Sequence, residues 1–320
     1  MEEVATIFKL YPDIESYTNG FLDLDGHQEM YWEISGNPKG QPVVFLHGGP
    51  GAGASPSHRR FFDPNFYKII IFDQRGSGRS RPFADITANT TQHLVEDMEF
   101  LRRHLDIDKW LVFGGSWGSS LALAYGIKYP DRVLGFILRG LFLCTRRELD
   151  WFLRGIKTVF PKEWHEFRNF LPTKEREDIL NSYFKRLINP DVDIHGPAAL
   201  AWTNYEASCS TLLPNARRKL VVGSGQMFLA LARIEAHYFM NEFFLPDDYF
   251  YKNLDKINKI PATVVQGRYD MVCPIITAFE LAKHWPRANL VVIPDAGHST
   301  TDPSLMSGLV AATENLKGNI

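Results

Sequence analysis

Cysteine is scarce in this sequence, with only Cys144, Cys209 and Cys273 in a chain of 320 residues. These thiols are too few and too widely spaced to build a disulfide framework or a zinc knuckle. An odd number of thiols is also typical of a reducing compartment. We therefore expect a cytoplasmic protein without a bound metal, and no motif indicates another cofactor.

Long apolar runs and an excess of one charge are also missing. No run approaches the roughly 18 residues of a membrane-spanning helix, and the acidic start lacks the basic and apolar regions of a signal peptide. The 35 basic and 37 acidic side chains nearly cancel, so no basic surface for nucleic acid or anionic lipid is expected. These absences argue against nucleic-acid and membrane partners and leave a homo-oligomer open.

The apolar residues that are present form short, uninterrupted runs. Such runs are typical of parallel strands that are buried on both faces. Between the second and third run, Leu94, Met98, Leu101 and Leu105 recur at helical spacing. This alternation of strand and helix predicts an α/β fold with a mostly parallel, doubly wound sheet. The runs lie at residues 43–46, 68–72, 110–113, 133–138, 262–266 and 290–293.

The start and the middle of the chain follow other patterns. Residues 16–24 and 27–34 are predicted to be two strands joined by Asp25-Gly26, a two-residue hairpin signal. The middle third is helical in its spacing and rich in aromatic residues. It is predicted to be an all-helical cap domain inserted into one α/β domain. The predicted segments are 1–140 and 247–320 for the two parts of the α/β domain and 141–246 for the cap.

A G-x-S-x-G motif runs from Gly114 to Gly118, with Ser116 at its centre. It stands between an apolar run and a helical pattern, as a nucleophile elbow does. Glycines on both sides of the serine allow a strained turn to close without Cβ clashes. Ser116 is therefore the candidate nucleophile, and the alternative is a packing turn made of small residues.

A serine nucleophile needs a base, and the base needs an acid that orients it. In α/β-hydrolases the chain order is nucleophile, acid, histidine. His298 follows the last apolar run, and Asp270 follows the run before it. His284 lies within a helical pattern, and Asp295 is typical of a turn on the histidine's own loop. We therefore predict a triad of Ser116, Asp270 and His298.

Backbone N–H groups hold the oxyanion in this kind of reaction. One donor comes directly after the nucleophile and belongs to Trp117. The second is expected in the glycine-rich loop from His47 to Gly51, and we assign it to Gly49. His47 itself is expected to shape this loop rather than to act as the base.

These motifs occur together in one known family. His-Gly-Gly-Pro-Gly from residue 47, Asp-Gln-Arg-Gly-x-Gly-x-Ser from residue 73 and the motif around Ser116 closely resemble the prolyl iminopeptidases. Gly-Arg-Tyr-Asp ending at Asp270 and Ala-Gly-His ending at His298 match the same family. The resemblance spans nearly the whole chain. It implies an α/β-hydrolase fold with a helical cap and metal-free release of N-terminal proline from small peptides.

The resemblance also implies a set of substrate-binding residues in and near the cap. Phe152 stands where relatives often have tyrosine, so a phenol hydroxyl is expected to be missing there. Glu206 and Glu235 match two glutamates that look like amine ligands in relatives, and Cys273 matches a cysteine near the proline pocket. The full set is Arg139, Phe142, Phe152, Glu206, Glu235 and Cys273.

Glu235 also stands out from first principles. On a helix it shares one face with apolar residues such as Phe228 and Tyr238, and a carboxylate on such a face needs a cation nearby. Two sources of that cation remain open: an internal arginine, Arg139 or Arg233, and the imino group of a bound substrate.

Together these residues predict acyl transfer through an acyl-enzyme. His298, oriented by Asp270, takes the proton of Ser116, which attacks the prolyl carbonyl. An esterase or amidase on the same scaffold is the first alternative, because a fold does not choose a substrate. A cap without two carboxylates would favour it. A non-catalytic binding protein is the second alternative, and a missing triad member would indicate it.

Overall fold

The computed structural model describes residues 7–213 and 227–318, and its centre is one sheet of eight strands. The order across the sheet is first, second, fourth, third, then fifth to eighth. The first two strands and the second and fourth pair antiparallel, and the other pairs are parallel. The predicted mostly parallel α/β sheet is therefore confirmed. The strands are β1 (Ser16–Asp23), β2 (Glu29–Gly36), β3 (Gln41–Leu46), β4 (Tyr67–Phe72), β5 (Trp110–Gly115), β6 (Val133–Arg139), β7 (Ala262–Gly267) and β8 (Ala288–Ile293).

The strands of the sheet are covered on both faces. Along β3, Val43 and Phe45 enter one hydrophobic core, whereas Val44 and Leu46 enter the core on the other face. All four side chains are buried. Burial on both faces explains why the strands appear in the sequence as uninterrupted apolar runs rather than as alternating ones.

Helices follow the strands and also form the region between β6 and β7. Helix α1 (Thr91–His104) connects β4 to β5, α2 (Trp117–Lys128) connects β5 to β6, and α9 (Ile275–Lys283) connects β7 to β8. Within residues 7–213 and 227–318, no helix has the length and apolarity that crossing a bilayer requires. The helices are α1 (Thr91–His104), α2 (Trp117–Lys128), α3 (Arg146–Asp150), α4 (Pro161–Asn169), α5 (Ile179–Leu187), α6 (Val192–Cys209), α7 (Met227–Met240), α8 (Tyr249–Asn253), α9 (Ile275–Lys283) and α10 (Pro303–Leu316).

All regular secondary structure in the described part of the predicted cap is helical. Helices α3 to α7 lie in this segment, together with a π-helical turn at Trp151–Gly155 and short 3-10 turns, and its described residues contain no strand. Residues 214–226 of the segment lie outside the described part. The division of the chain at residues 140 and 246 stays a prediction.

The first hairpin differs from the predicted two-residue turn. A 3-10 turn at Asp25–His27 separates β1 from β2, and Leu24 N–H donates to Gln28 O at 2.8 Å. Gly26 does adopt a positive φ of 67°. The longer loop brings the Asp25 carboxylate to the buried guanidinium of Arg75. The local hairpin signal could not predict this ion pair, because Asp25 and Arg75 are far apart in the sequence.

Candidate active site

Ser116 lies at the turn between β5 and α2, where the motif predicted it. Its backbone has φ 57° and ψ −128°, a strained combination that costs a residue with a side chain about 1–3 kcal/mol. A Cβ on Gly114 would lie 2.1 Å from the carbonyl oxygen of Gly118, and one on Gly118 would lie 2.3 Å from that of Leu46. Only glycines fit on both sides of the serine, so the turn has the geometry of a nucleophile elbow.

This crowding predicts a stability effect. Gly114→Ala is expected to lower the free energy of unfolding by about 3 kcal/mol or more, because the new methyl group meets a backbone oxygen that cannot move aside. Gly318→Ala is the control: Gly318 is exposed, and a Cβ there would meet no atom within 4 Å beyond its chain neighbours, so alanine should change the free energy of unfolding by less than about 0.5 kcal/mol. Denaturant unfolding measures both, and equal stabilities would contradict the tight elbow.

Asp270 and His298 meet beyond the carboxyl ends of β7 and β8. Nδ1 of His298 lies 2.8 Å from Oδ2 of Asp270. The other carboxylate oxygen, Oδ1, accepts the backbone N–H groups of Val272 at 3.1 Å and Cys273 at 2.8 Å. Gln266 Nε2 donates to Oδ2 at 3.2 Å. These donors hold the buried carboxylate in one orientation, with Oδ2 directed at the imidazole.

Arg139 determines which tautomer of His298 fits. Its Nη1 lies 2.9 Å from Nε2 of His298, and a guanidinium only donates hydrogen bonds. Nε2 must therefore accept, which leaves the ring proton on Nδ1, facing Asp270. A general base needs this tautomer, because its lone pair is on Nε2. For Nε2 to take a proton from Ser116, its contact with Arg139 has to give way.

The loop that carries His298 is attached to the cap. The backbone N–H groups of His298 and Ser299 both donate to the carbonyl oxygen of Ser210, at 2.9 Å and 2.8 Å. Ser210 directly follows α6, a helix of the predicted cap. On the other side, the imidazole packs against Gly140, where a Cβ would lie 2.8 Å from Cε1. The position of His298, the predicted base, thus depends on the predicted cap and on a glycine after β6.

The glycine-rich loop after β3 lies beside Ser116. A Cβ on Gly48 would be 3.2 Å from Cβ of Ser116. Trp117 is the first residue of α2, and N–H groups of a first helical turn have no acceptor inside the helix. Its N–H and that of Gly49, the two oxyanion donors predicted from the sequence, therefore belong to the two segments that flank Ser116.

His47 shapes this loop, as the sequence predicted. Its Nε2 accepts the backbone N–H of Gln74 at 3.0 Å, and its Nδ1 lies 3.0 Å from Gly48 O. Gln74 Nε2 in turn donates to His47 O at 2.9 Å. Burial lowers the pKa of His47. Both ring nitrogens are engaged in holding the loop, which leaves His47 no role as the base.

A cavity of about 310 Å³ contains the predicted nucleophile and base, at the small end of the range for ligand pockets. It brings together Ser116, His298, Gly49, Arg139 and Glu206 from distant parts of the sequence. Asp270 and Trp117 are buried behind this wall. The other residues that line the cavity are Phe45, Leu46, His47, Gly48, Ala52, Gly53, His58, Phe113, Gly115, Thr203, Ala207, Ser210, Phe228, Leu231, Ser299 and Thr300.

The two predicted glutamates occupy different positions. Glu206, on α6, lines the cavity, whereas Glu235, on α7, is only 4% exposed and does not line it. Oε2 of Glu235 accepts the indole N–H of Trp202 at 2.5 Å. Arg233, one proposed internal cation, instead donates to the carbonyl oxygens of Leu187 and Ala84. The sequence analysis missed Trp202 as the partner of Glu235.

Burial has a consequence for the charge of Glu235. It raises the pKa of this carboxyl well above its usual range, and the nearby charge of Glu206 raises it further. The Trp202 N–H, which favours the ionised form, lowers the pKa only in part. The structure therefore favours a protonated Glu235 behind the cavity wall, with Glu206 in front of it.

Comparison with known proteins places the chain in a family. A protein-family model described as alpha/beta hydrolase fold matches residues 41–302 of the chain. A proline iminopeptidase from Arabidopsis thaliana is 50% identical over 311 residues, covering 96% of this chain and 82% of the relative. The chain belongs to the proline iminopeptidase family. A second relative supports this assignment. It is a probable proline iminopeptidase from Leptolyngbya boryana, which is 47% identical over 308 residues, with 96% of both chains covered.

A solved structure extends the likeness to the fold. A putative lipase from Acinetobacter baumannii superposes with a TM-score of 0.63 at 17% identity, covering 95% of this chain and 93% of the other. At this identity the likeness concerns architecture alone. It agrees with the α/β-hydrolase fold that the strand order and the elbow indicate.

The remaining residues suggested by the family resemblance lie outside the cavity wall. Phe142 packs against Phe243, with ring centroids 5.1 Å apart. Phe152 packs edge-to-face against Phe239 at 5.5 Å within the cap. Cys273 is 2% exposed, and its Sγ lies 4.0 Å from Oγ of Ser116. Their assignment to substrate binding stays a prediction.

His58 is a cavity residue that the sequence analysis did not select. It lies in the short turn Pro56–Phe61 after β3, and its ring stacks on Phe45 with centroids 4.3 Å apart. Nothing in the local sequence signals this position, because the stack depends on the path of the loop above the sheet.

Proposed function

We propose that this protein is a serine aminopeptidase that releases N-terminal proline from small peptides. The observation that carries the proposal is a single cavity in which Ser116, His298 and the carboxylate of Glu206 all reach the same space. Ser116 and His298 supply the means for acyl transfer, and Glu206 supplies a charge that suits an N-terminal cation. The relatives named proline iminopeptidase support the same substrate.

The proposed reaction is acyl transfer in two steps. His298 exchanges its contact with Arg139 for Ser116 Oγ, takes the hydroxyl proton, and Ser116 attacks the prolyl carbonyl. The N–H groups of Gly49 and Trp117 hold the oxyanion. The C–N bond then breaks, and the departing peptide amine receives the proton from His298. Water, activated by the same imidazole, hydrolyses the prolyl ester and frees proline.

Glu206 is proposed to bind the charged imino group of the substrate. Proline keeps two N–H donors when its ring nitrogen is protonated, and a half-buried carboxylate accepts one or both of them. Apolar residues of the same wall, Phe228 and Leu231, lie where they offer the ring an apolar surface. An acylated nitrogen has neither the charge nor the two donors, so the site selects free N-termini.

Replacing the two glutamates should separate their roles. Glu206→Gln removes a charge partner, which typically costs about 2–5 kcal/mol, and should lower kcat/KM for proline arylamides at least about tenfold. Glu235→Gln should lower it less than about threefold near neutral pH, because glutamine resembles the protonated carboxyl and still accepts the Trp202 N–H. Equal losses in both variants would show that Glu235 carries charge in the reaction.

A substrate panel distinguishes the proposal from its alternatives. Arylamides of proline, alanine and leucine, together with a simple aryl ester, are assayed with the purified protein. A peptidase of the proposed kind prefers the proline arylamide. Preference for the ester with no cleavage of any arylamide would favour an esterase, and no turnover of the whole panel would favour a binding protein.

Further parts of the account stay predictions. We propose that residues 141–246 act as a cap domain on an α/β domain formed by residues 1–140 and 247–320. The contact between Ser210 and the His298 loop supports a cap that acts together with the catalytic residues. Cytoplasmic location and a possible homo-oligomer are predicted from the sequence alone.

A further inference from the structure

The cavity has two walls, which belong to the hydrophobic cores on the two faces of the sheet. Phe228 belongs to the hydrophobic core that extends into the cap, whereas Phe45 and Phe113 belong to the core on the opposite face of the sheet. All three line the same cavity. Under the proposed function, a substrate with its imino group at Glu206 and its scissile carbonyl at Ser116 would place its leaving peptide against the second wall, formed by Phe45 and Phe113.

His58 is a polar group in the second wall. Its Nδ1 accepts the backbone N–H of Ser55 at 3.0 Å. Because a backbone N–H only donates, Nδ1 carries no proton, and the proton of the neutral ring is on Nε2. Burial lowers the pKa of His58 to about 4, so the ring is neutral near pH 7. The bond from Ser55 thus holds the ring in the tautomer whose donor is Nε2–H.

The orientation of the ring is also held. The imidazole stacks on Phe45 with centroids 4.3 Å apart and planes inclined by 22°. No hydrogen bond joins Nε2 to an acceptor among residues 7–213 and 227–318, and this atom is not sealed from solvent. The result is a preorganised donor on the side of the cavity that the leaving peptide would occupy.

We propose that Nε2–H of His58 binds the first backbone carbonyl of the leaving peptide. The inference rests on the proposed aminopeptidase function and adds to it a residue that distinguishes peptides from other prolyl amides. A peptide presents a carbonyl one residue beyond the scissile bond. Aryl and alkyl amides of proline lack that acceptor and gain nothing from His58.

Two substitutions separate this contact from the structural role of the ring. Asparagine at position 58 keeps an acceptor where Nδ1 stands, so it retains the bond from Ser55, but it loses the donor at the position of Nε2. Glutamine reaches the position of Nε2 with an N–H and loses the acceptor for Ser55. His58→Asn and His58→Gln are therefore matched variants with opposite defects.

The test compares prolylglycinamide with prolyl propylamide, which lacks the carbonyl. The measured quantity is the ratio of the two kcat/KM values. Because every variant is assayed with the same two substrates, the difference in basicity between their leaving amines affects all the ratios equally. In His58→Asn the ratio should fall about five- to tenfold from the wild-type value, as expected for one hydrogen bond. In His58→Gln it should stay within about twofold. Thermal unfolding of each variant shows that it is folded at the assay temperature.

The outcomes are distinct. An unchanged ratio in His58→Asn, or an equal fall in both variants, would overturn the proposed contact. If neither variant folds, the wild-type protein still provides a test. It is assayed with prolylglycinamide and with the analogue that has a methylene in place of the glycyl carbonyl. Equal kcat/KM values for the two would overturn the contact. A wild-type protein that cleaves none of these amides would instead refute the aminopeptidase function on which the inference rests.

Discussion

Ser116→Ala is expected to lower kcat for proline arylamides by a factor on the order of 10⁴ or more, because without the nucleophile no acyl-enzyme forms. Ser116 lies at the elbow and lines the same cavity as His298. Steady-state assays of the purified variant measure the loss. Retention of more than about a tenth of wild-type activity would remove Ser116 from its proposed role.

The companion variant Ser116→Gly tests the strain at the same position. The φ of 57° is unfavourable for serine and for alanine but not for glycine. Ser116→Gly should therefore be as inactive as Ser116→Ala and more stable than it by about 1 kcal/mol. Calorimetry compares the two, and a less stable glycine variant would contradict a strained elbow.

Asp270→Asn is expected to lower kcat by a factor on the order of 10³–10⁴ although it is nearly isosteric. Oδ1 of Asp270 accepts two backbone N–H groups, from Val272 and Cys273. The asparagine must keep its oxygen there, so its NH₂ faces His298 and also meets the Gln266 amide. A donor opposite Nδ1 forces the ring proton onto Nε2, and this tautomer cannot accept the proton of Ser116.

Asp295 supplies the control for this experiment. It lies on the histidine loop and was the competing acid in the sequence, but Oδ2 of its exposed carboxylate accepts the hydroxyl of Ser304 at 2.7 Å. Asp295→Asn should leave kcat within about twofold of wild type, since exposed polar changes usually have small effects. A large loss in Asp295→Asn with a small one in Asp270→Asn would reassign the acid.

The positions of Ser116, Asp270 and His298 could be predicted from the sequence because the signals for them are local. The elbow needs small residues directly beside Ser116, and Asp270 and His298 directly follow apolar strands. In a parallel sheet the carboxyl ends of neighbouring strands meet at one edge, so order along the chain becomes proximity in space. The same reasoning predicted the sheet, but it predicted a two-residue turn in the first hairpin where the structure has a 3-10 turn.

The remaining features depend on contacts between distant residues. Trp202 and Glu235 lie on different helices of the predicted cap, and an indole N–H contacts Glu235 where the sequence left an internal arginine open. The approach of Arg139 to His298 joins residues that are 159 positions apart. No periodicity or motif in the sequence indicates such pairs, because each depends on the packing of distant elements rather than on its own neighbours in sequence.

In the proposed mechanism, substrate recognition and catalysis both depend on one helix. Helix α6 carries Glu206, and Ser210 at its end holds the loop of His298 through two backbone hydrogen bonds. A substrate bound to Glu206 as proposed would therefore contact the same element that positions His298. In the proposed reaction, this arrangement links the choice of a free N-terminus to the acyl-transfer step.

The most direct test of the central claim is the ratio of kcat/KM for a proline arylamide and the same arylamide of N-acetylproline, measured with wild-type protein. The two substrates share the scissile bond, the ring and the leaving group, and they differ in the charged imino group that Glu206 is proposed to bind. Loss of that charge pair should favour the free proline substrate by at least about thirtyfold, or about 2 kcal/mol. A ratio near one would contradict the aminopeptidase account and leave a general amidase in its place.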